Sequence, residues 1–250
     1  MRIHAYAICW NEEIMLPYYL YHYEKFVEKI IIYDNMSTDN SRQIINNHPL
    51  CELRDYDSNN EVRDDLYLEI KNNVWKECRG KDIDYVIVGD IDEFLFSKNI
   101  KEFLEKNKKY SIFYPPGFEM FSKKFPHTKG QIYSVCNKGA HSPYDNIDKK
   151  IIFSPDRVQE IAYLAGCHKN PNQISEGPIW TYDKQHPINS DLKLLHFKYI
   201  DEEYVAKRNR NMAKRLSKVN KENAWGLHYE NIKDSLNYAS LLEKKSEIIL

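Results

Sequence analysis

Hydrophobic and polar positions alternate in blocks over the first hundred residues, and the blocks predict strands and helices in turn. "IHAYAIC" (3–9), "KIIIYD" (29–34), "CELRDY" (51–56) and "DYVIVGD" (84–90) read as strands. The last has the nearly continuous apolar run of a strand covered on both faces. Between them, Asn11 with Glu12 and Glu13 suits a helix start, because a capping side chain and early acids favour the amide end, and Pro17 marks a second start or a kink. "STDNSRQIINNH" (37–48) reads as a turn and then a helix. In "EVRDDLYLEIKNNVWKECR" (61–79), Val62, Leu66, Ile70, Val74 and Cys78 recur every four residues, one stripe of a helix. Strands alternating with helices at this spacing predict an α/β fold with a mostly parallel central sheet flanked by helices.

Beyond residue 100 the pattern loosens. "NIKEFLEKN" (99–107) predicts a helix, and "YSIFYPPGFEMFS" (110–122) a strand that breaks at Pro115-Pro116-Gly117. "LKLLHFKY" (192–199) predicts another strand. "DEEYVAKRNRNMAKRL" (201–216) predicts a helix with acids first and bases later, the order the helix dipole favours. We read residues 1–200 as an α/β domain with two halves (1–100 and 101–200), followed by a helical C-terminal extension (201–250).

In parallel sheets ligands bind beyond the carboxyl ends of the strands. Asp34 with Asn35, and Asp90 with Asp92, lie at such ends and should face one rim. In an extended segment Asp90 and Asp92 point to one side, Ile91 and Glu93 to the other. Two carboxylates on one side of a ligand-binding rim suit a hard cation such as Mg²⁺ or Mn²⁺. The plainer reading is a solvated acidic turn, which the buried run before it and "FLF" after it make less comfortable.

Composition narrows the classes. The chain has 250 residues, 42% hydrophobic and 29% charged, and a formal net charge of −1, so no whole-protein field favours nucleic acid or an anionic membrane. Five scattered cysteines without a CxxC pair argue against a disulfide framework or a thiolate zinc site and fit a reducing, cytoplasmic setting. The N-terminal apolar stretch is short for a signal peptide, and no run reaches the roughly 18 to 20 residues of a spanning helix. The basic "VAKRNRNMAKRL" (205–216) is a solvated helix face or a contact for anionic lipid, which allows peripheral association at the inner face of the membrane at most.

Four motifs in order, "CWNEE" (9–13), "IIIYDNMSTDNS" (30–41), "VRDD" (62–65) and "VGDIDEFLF" (88–96), resemble inverting glycosyltransferases of the type A fold, in the family-2-like and family-92-like group. "LLHFKYIDEEYVAKR" (194–208) is similar to that group's late His segment, with Phe197 in place of Tyr and Ile200-Asp201 in place of Lys-Ser. The likeness covers residues 1–100 well and 190–208 moderately, and implies that 1–200 is a catalytic domain with a nucleotide-binding half (1–100) and an acceptor half (101–200).

The resemblance implies a nucleotide-diphosphate sugar donor, most often UDP-linked, and Mn²⁺ or Mg²⁺. It implies a saccharide or lipid-linked saccharide acceptor, in bacterial surface polysaccharide synthesis. Carried over by position, Ala7, Asn11, Asp34 and Arg63, with Asn35, would line the nucleoside pocket. Asp90 would meet ribose and metal, Asp92 would bind the metal, and His196 would be a metal or diphosphate ligand. Asp34 also reads as a strand-ending turn residue, Arg63 as a helix-surface charge and His196 as a core histidine.

Glu119 is the first candidate for the base that deprotonates the acceptor hydroxyl, with Asp183 and Glu176 as alternatives and a plain surface acid as the competing reading. His168 with Lys169, in a Gly- and Pro-bounded loop, is a candidate diphosphate or acceptor contact. A nucleotidyltransferase is the second enzyme reading, disfavoured because "CWNEEIMLP" lacks glycine. A non-catalytic nucleotide- or sugar-binding module on the same fold is the third, against which the intact D-x-D argues.

Overall fold

A computed structural model describes residues 1–141, 147–165 and 172–250. Its main sheet is built on β1 (Ile3–Cys9), β2 (Lys29–Asp34), β3 (Cys51–Asp55) and β4 (Tyr85–Asp90). These four run parallel in the order β4-β1-β2-β3, with Cys9 level with Asp34 and Ala7 level with Gly89. The apolar run of β4 has the burial its composition predicts: all residues from Tyr85 to Gly89 are buried. Only two residues separate β4 from β5 (Glu93–Phe96), which belongs to a second sheet.

The strand predicted at 110–122 divides at its Pro-Pro pair. β6 (Ile112–Tyr114) joins the main sheet, and β7 (Gly117–Ser122) joins the second. A Cβ at Gly117 would lie 2.4 Å from the Ile147 carbonyl oxygen, so this crossing needs glycine. β8 (Lys138–His141) and the two-residue β9 (Ile152–Phe153) follow, and β10 (Val158–Ala162) pairs with β11 (Asn172–Ser175) as a separate ribbon. β12 (Ile179–Thr181), β13 (Lys193–Ile200) and β14 (Glu247–Ile248) complete the set. The sheets are β12-β6-β9-β4-β1-β2-β3, with β9 antiparallel to both neighbours, and β14-β8-β7-β13-β5. The fold is thus α/β with a parallel-rich central sheet, as expected.

Helix α1 (Leu16–Tyr23) begins later than Asn11 predicted, with Pro17 in its first turn, where a missing N–H costs nothing. Asn11 instead takes a left-handed turn, φ 53°. α2 (Ser41–Asn46) starts where the turn "STDN" ends. α3 (Asp64–Asn73) passes into a 3₁₀ segment at Val74–Cys78, and no residue of α3 itself is fully buried. Its Tyr67, Leu68 and Lys71 line a cleft, and Leu68 also packs against the core. α4 (Ile100–Lys106) is capped by the Asn99 side chain, which accepts from the Glu102 N–H. α5 (Glu202–Lys214) is capped in the same way by Asp201.

After α6 (Lys218–Glu222), α7 (Ile232–Lys245) packs with α5 on the second sheet, burying Tyr199, Val205, Ala239 and Leu242. The chain between α5 and α6 is clipped to the segment before α3: the Val62 N–H donates to the Arg215 carbonyl at 2.8 Å. The C-terminal helices therefore form one wall of the cleft at the strand ends. No helix among the described residues is long and apolar enough to cross a membrane.

Candidate functional site

The cleft lies at the carboxyl ends of β1 and β4, where a parallel sheet places its ligands. Its volume of about 170 Å³ exceeds many times over the 10–15 Å³ or so that one water needs. Asp90 and Asp92 both line it, whereas Glu93 is fully buried. This is the alternation that an extended segment dictates.

The Glu93 carboxylate meets the fully buried ammonium of Lys149 at 2.6 Å and accepts the Asp90 N–H at 3.0 Å. It fixes the strand end from beneath, which explains the third acid of the motif. Gly89 leaves the room: a Cβ there would stand 3.2 Å from Glu93 Oε2.

Each rim aspartate has cations of its own. Asp90 Oδ1 takes Lys71 Nζ at 2.5 Å, and Oδ2 lies 3.6 Å from Lys149. Asp92 Oδ2 takes Arg208 Nη2 at 3.1 Å and His196 Nε2 at 3.5 Å. Burial alone would raise the Asp92 carboxyl; Arg208 and His196 more than offset it and hold it well below the ordinary range. Burial likewise works against a charged His196, but Glu119 and Asp92 raise it to about 10. Lys198 is lowered, first by burial and then by Arg208.

The β7–β13 register sets His196 opposite Glu119, whose Oε2 lies 2.9 Å from His196 Nδ1. Glu119 is buried behind the imidazole and does not line the cleft. An acceptor base must come within hydrogen-bond reach of its hydroxyl. The placement of Glu119 fits an orienting partner of His196 and not that base. Asp183 pairs with His186 at 2.9 Å, and Glu176 accepts from Gln159 at 2.9 Å; both are exposed and outside the cleft. His168 lies outside the described residues.

The residues expected around a nucleoside are divided. Ala7 is buried mid-strand. Asn11 Oδ1 accepts the Thr38 N–H at 2.7 Å, and the Asn11 N–H donates to Ser37 Oγ at 2.8 Å. Asp34, fully buried, accepts the Ser37 N–H at 2.9 Å and Arg42 at 2.6 Å through Oδ2, while Oδ1 has no hydrogen-bond partner among the described residues. Asn35 exchanges hydrogen bonds with Ser58. The two motifs "CWNEE" and "YDNMSTDNS" are thus stitched to each other, and Asp34 and Asn35 hold that stitching. Arg63 forms a two-pronged pair with Asp65, at 2.8 and 2.6 Å, and lines no part of the cleft.

Sequence reasoning passed over Lys71, Lys149, Arg208 and Glu12. The signal for Arg208 was present: Tyr204, Arg208 and Met212 share one face of α5 at four-residue spacing. Lys149 was marked only by a lysine pair running directly into "IIF".

No group of three His, Cys, Asp or Glu side chains able to hold a metal ion occurs among the described residues. Lining the cleft is a donor pair, Asp92 Oδ2 with His196 Nε2, the latter oriented through Nδ1 by a carboxylate, as metal-ligating histidines commonly are. A carboxylate and an imidazole, completed by phosphate oxygens and water, suit Mg²⁺ or Mn²⁺. The donor types therefore fit such an ion at Asp92 and His196, provided that it displaces Arg208 from Asp92 and a proton from the His196 ring, which Glu119 and Asp92 hold to about pH 10.

No protein-family model matches the chain, and no curated protein matches it. Among solved structures it is similar to TarS of S. aureus: residues 1–349 of that protein share 13% identity over 86% of this chain and 65% of that one, at a TM-score of 0.43. A second TarS structure shares 15% identity over 62% of this chain and 28% of that one, at 0.41. Glucosyl-3-phosphoglycerate synthase from Mycobacterium tuberculosis, in complex with Mn²⁺, UDP and glucosyl-3-phosphoglycerate, shares 12% identity over 48% of this chain and 44% of that one, at 0.30. The chain thus spans less than two thirds of each. Likenesses this distant carry no argument about its chemistry.

Proposed function

We propose that the chain is an inverting glycosyltransferase that moves a sugar from a nucleoside diphosphate sugar, UDP-linked, to a saccharide acceptor, with Mn²⁺ or Mg²⁺ bound at Asp92 and His196. The observation that carries this reading is one cleft, at the ends of parallel strands, in which Asp92 and His196 stand 3.5 Å apart within a ring of Lys71, Lys149, Lys198 and Arg208. Breaking a sugar–phosphate bond leaves extra negative charge on a diphosphate, and fixed cations in a partly enclosed site stabilise it without reorganisation. A divalent ion, when bound, supplies Lewis-acid stabilisation of the same charge.

The protein's own parts have distinct work. Lys71 and Lys149 hold Asp90 at the rim, and Arg208, which pairs with Asp92 at 3.1 Å, would offer its planar guanidinium to the diphosphate were an ion held at Asp92 and His196. Glu119 keeps the His196 ring in its orientation. Trp10 offers a flat face beside the strand ends, with an indole N–H that has no partner among the described residues.

The test is a thermal-shift panel of UDP, GDP and CDP with and without Mn²⁺, followed by UDP release from UDP-sugars. A metal-dependent UDP shift is expected, with UDP release lost in Asp92→Ala. Absence of a shift with every nucleotide refutes the reading.

A further inference from the structure

A second hollow of about 150 Å³ opens beside the first. Asn11, Glu13 and Asp39 of the stitched loops line one side, and Tyr204, Lys207 and Asn211 of α5 line the other. Trp10, Glu12, Arg208 and Met212 line both hollows and form the wall between them. A transferase needs two sites that meet at one reacting carbon, and two adjoining hollows with a common wall supply that arrangement.

The lining indicates the ligand. Trp10 and Tyr204 line the hollow with aromatic carbon suited to the apolar face of a sugar ring, although the Arg215 guanidinium covers one face of Trp10 at 3.2 Å. Asn211 and Lys207 have no side-chain hydrogen bond or ion pair among those described, so their donors are available. The Glu13 and Asp39 carboxylates are aimed by the backbone N–H groups of Asn40 (3.1 Å) and Ser41 (2.9 Å) and retain further acceptor capacity. Acids and bases are mixed, without the excess of one sign that a phosphate or a charged peptide would call for.

The wall also contains the chemistry. The hydroxyl of an acceptor in one hollow must meet the anomeric carbon of a donor in the other, so a base that takes its proton at that meeting point belongs to the wall, whose residues line both. Of the four residues that do, Trp10 and Met212 have no basic atom and Arg208 stays protonated. Glu12 remains. Burial pushes its carboxyl up to about 8 against the pull of Arg208, close to the working pH at which a general base is most effective.

We infer that the second hollow is the acceptor site, that it takes a neutral saccharide, and that Glu12 is the catalytic base. The inference rests on the transferase reading. It places the acceptor against the loop at 10–14 and α5, instead of the 101–200 half that the sequence suggested. In the step, the Glu12 carboxylate takes the hydroxyl proton and the acceptor oxygen bonds to the anomeric carbon. The bond from that carbon to the phosphate oxygen breaks, its electron pair leaves on the diphosphate, and configuration inverts.

Two variants test this, each read against the UDP shift. Glu12→Gln should lower sugar transfer by about 100-fold or more while the metal-dependent UDP shift persists. The wild-type rise of kcat/KM through about pH 8 should be missing from the residual activity. Asn211→Trp fills the hollow: saturation-transfer NMR signals from methyl β-glucoside, methyl β-galactoside and methyl N-acetyl-β-glucosaminide should be lost, again with the UDP shift intact. Transfer within tenfold of wild type in Glu12→Gln, glycoside signals surviving in Asn211→Trp, or no such signal from a wild type that binds UDP, each overturns the inference alone. A wild type without any UDP shift overturns the transferase reading, and the inference with it.

Discussion

The ends of β2 and β4 carry the same kind of residue one position apart along the sheet, Asp34 opposite Cys9 and Asp90 opposite Ile8, and put it to different use. Asp34 turns inward, fully buried, and fastens the loop that follows it to Arg42 and Ser37. Asp90 and Asp92 turn outward to a cleft lined with lysine, arginine and histidine. Strand order places an acid on the rim, but the direction of the side chain decides whether it meets a ligand or a loop. Substitution should separate these cases. Asp92→Ala should lower UDP release from a UDP-sugar by about a thousandfold or more, the scale of losing a principal charge-stabilising contact, and should also lower the melting temperature, because Arg208 and His196 lose their shared carboxylate. A variant that turns over normally would place Asp92 with Asp34.

Beneath the rim, Glu93 belongs with Asp34 as an inward acid, and its partner Lys149 is buried where Asp34's partner Arg42 is partly exposed. Lys149→Met leaves a buried carboxylate uncompensated and should cost about 3–5 kcal/mol. In a chain of this size that is a melting-temperature loss on the order of 10 °C. The double variant Glu93→Gln with Lys149→Met should recover a large part of it. If the double variant melts no higher than Lys149→Met, the pair is not the reason for the third acid.

Asp34→Asn keeps an acceptor for the Ser37 N–H but uncouples Arg42, which Asp55 still holds at 2.8 Å. A loss of about 1–3 kcal/mol is expected in denaturant unfolding, as for a weakened buried polar contact, with the UDP shift retained. Loss of the UDP shift at unchanged stability would return Asp34 to the ligand.

The contrast also marks what could be read from the sequence. The strands of the first hundred residues were legible because parallel strands covered on both faces are written as continuous apolar runs, as in Val86–Val88. The break at Pro115-Pro116 was legible, but not that the two pieces enter different sheets, since that is set by the contact of Gly117 with Ile147 thirty residues on. The acids of the site were legible from their place at strand ends. Their cations were not, because Lys71, Lys149 and Arg208 arrive from three distant segments. The positive charges of α5 read as a solvated face until Arg208 is seen turned to Asp92.

The pH dependence of stability sharpens the outward side of the comparison. His196 is raised to about 10 in the folded protein, so its contribution is complete below about 6.5 and is lost as pH climbs through 10. Asp92 is held low, so its contribution is complete above about 4 and is lost as pH falls below that. Glu12, raised to about 8, adds a term that is complete below about 4.5 and lost as pH rises through 8. In chelator, melting temperature should therefore fall by several degrees from pH 6.5 to 10. His196→Gln should flatten the upper part of that fall and Glu12→Gln the lower. Profiles parallel to wild type in both variants would mean that neither group is enclosed as described.

The smallest effect is expected at Arg63, which sequence position assigns to the nucleoside and geometry assigns to Asp65. A partly exposed ion pair between residues two apart contributes about 0–1 kcal/mol to stability. Arg63 touches neither hollow. Arg63→Ala should leave the UDP dissociation constant within about threefold of wild type, a difference under 1 kcal/mol. A loss of tenfold or more would mean that the guanidinium leaves Asp65 for the ligand. The loop between β3 and α3 would then belong with the outward acids, and the division between the two strand ends would lie one element further along the chain.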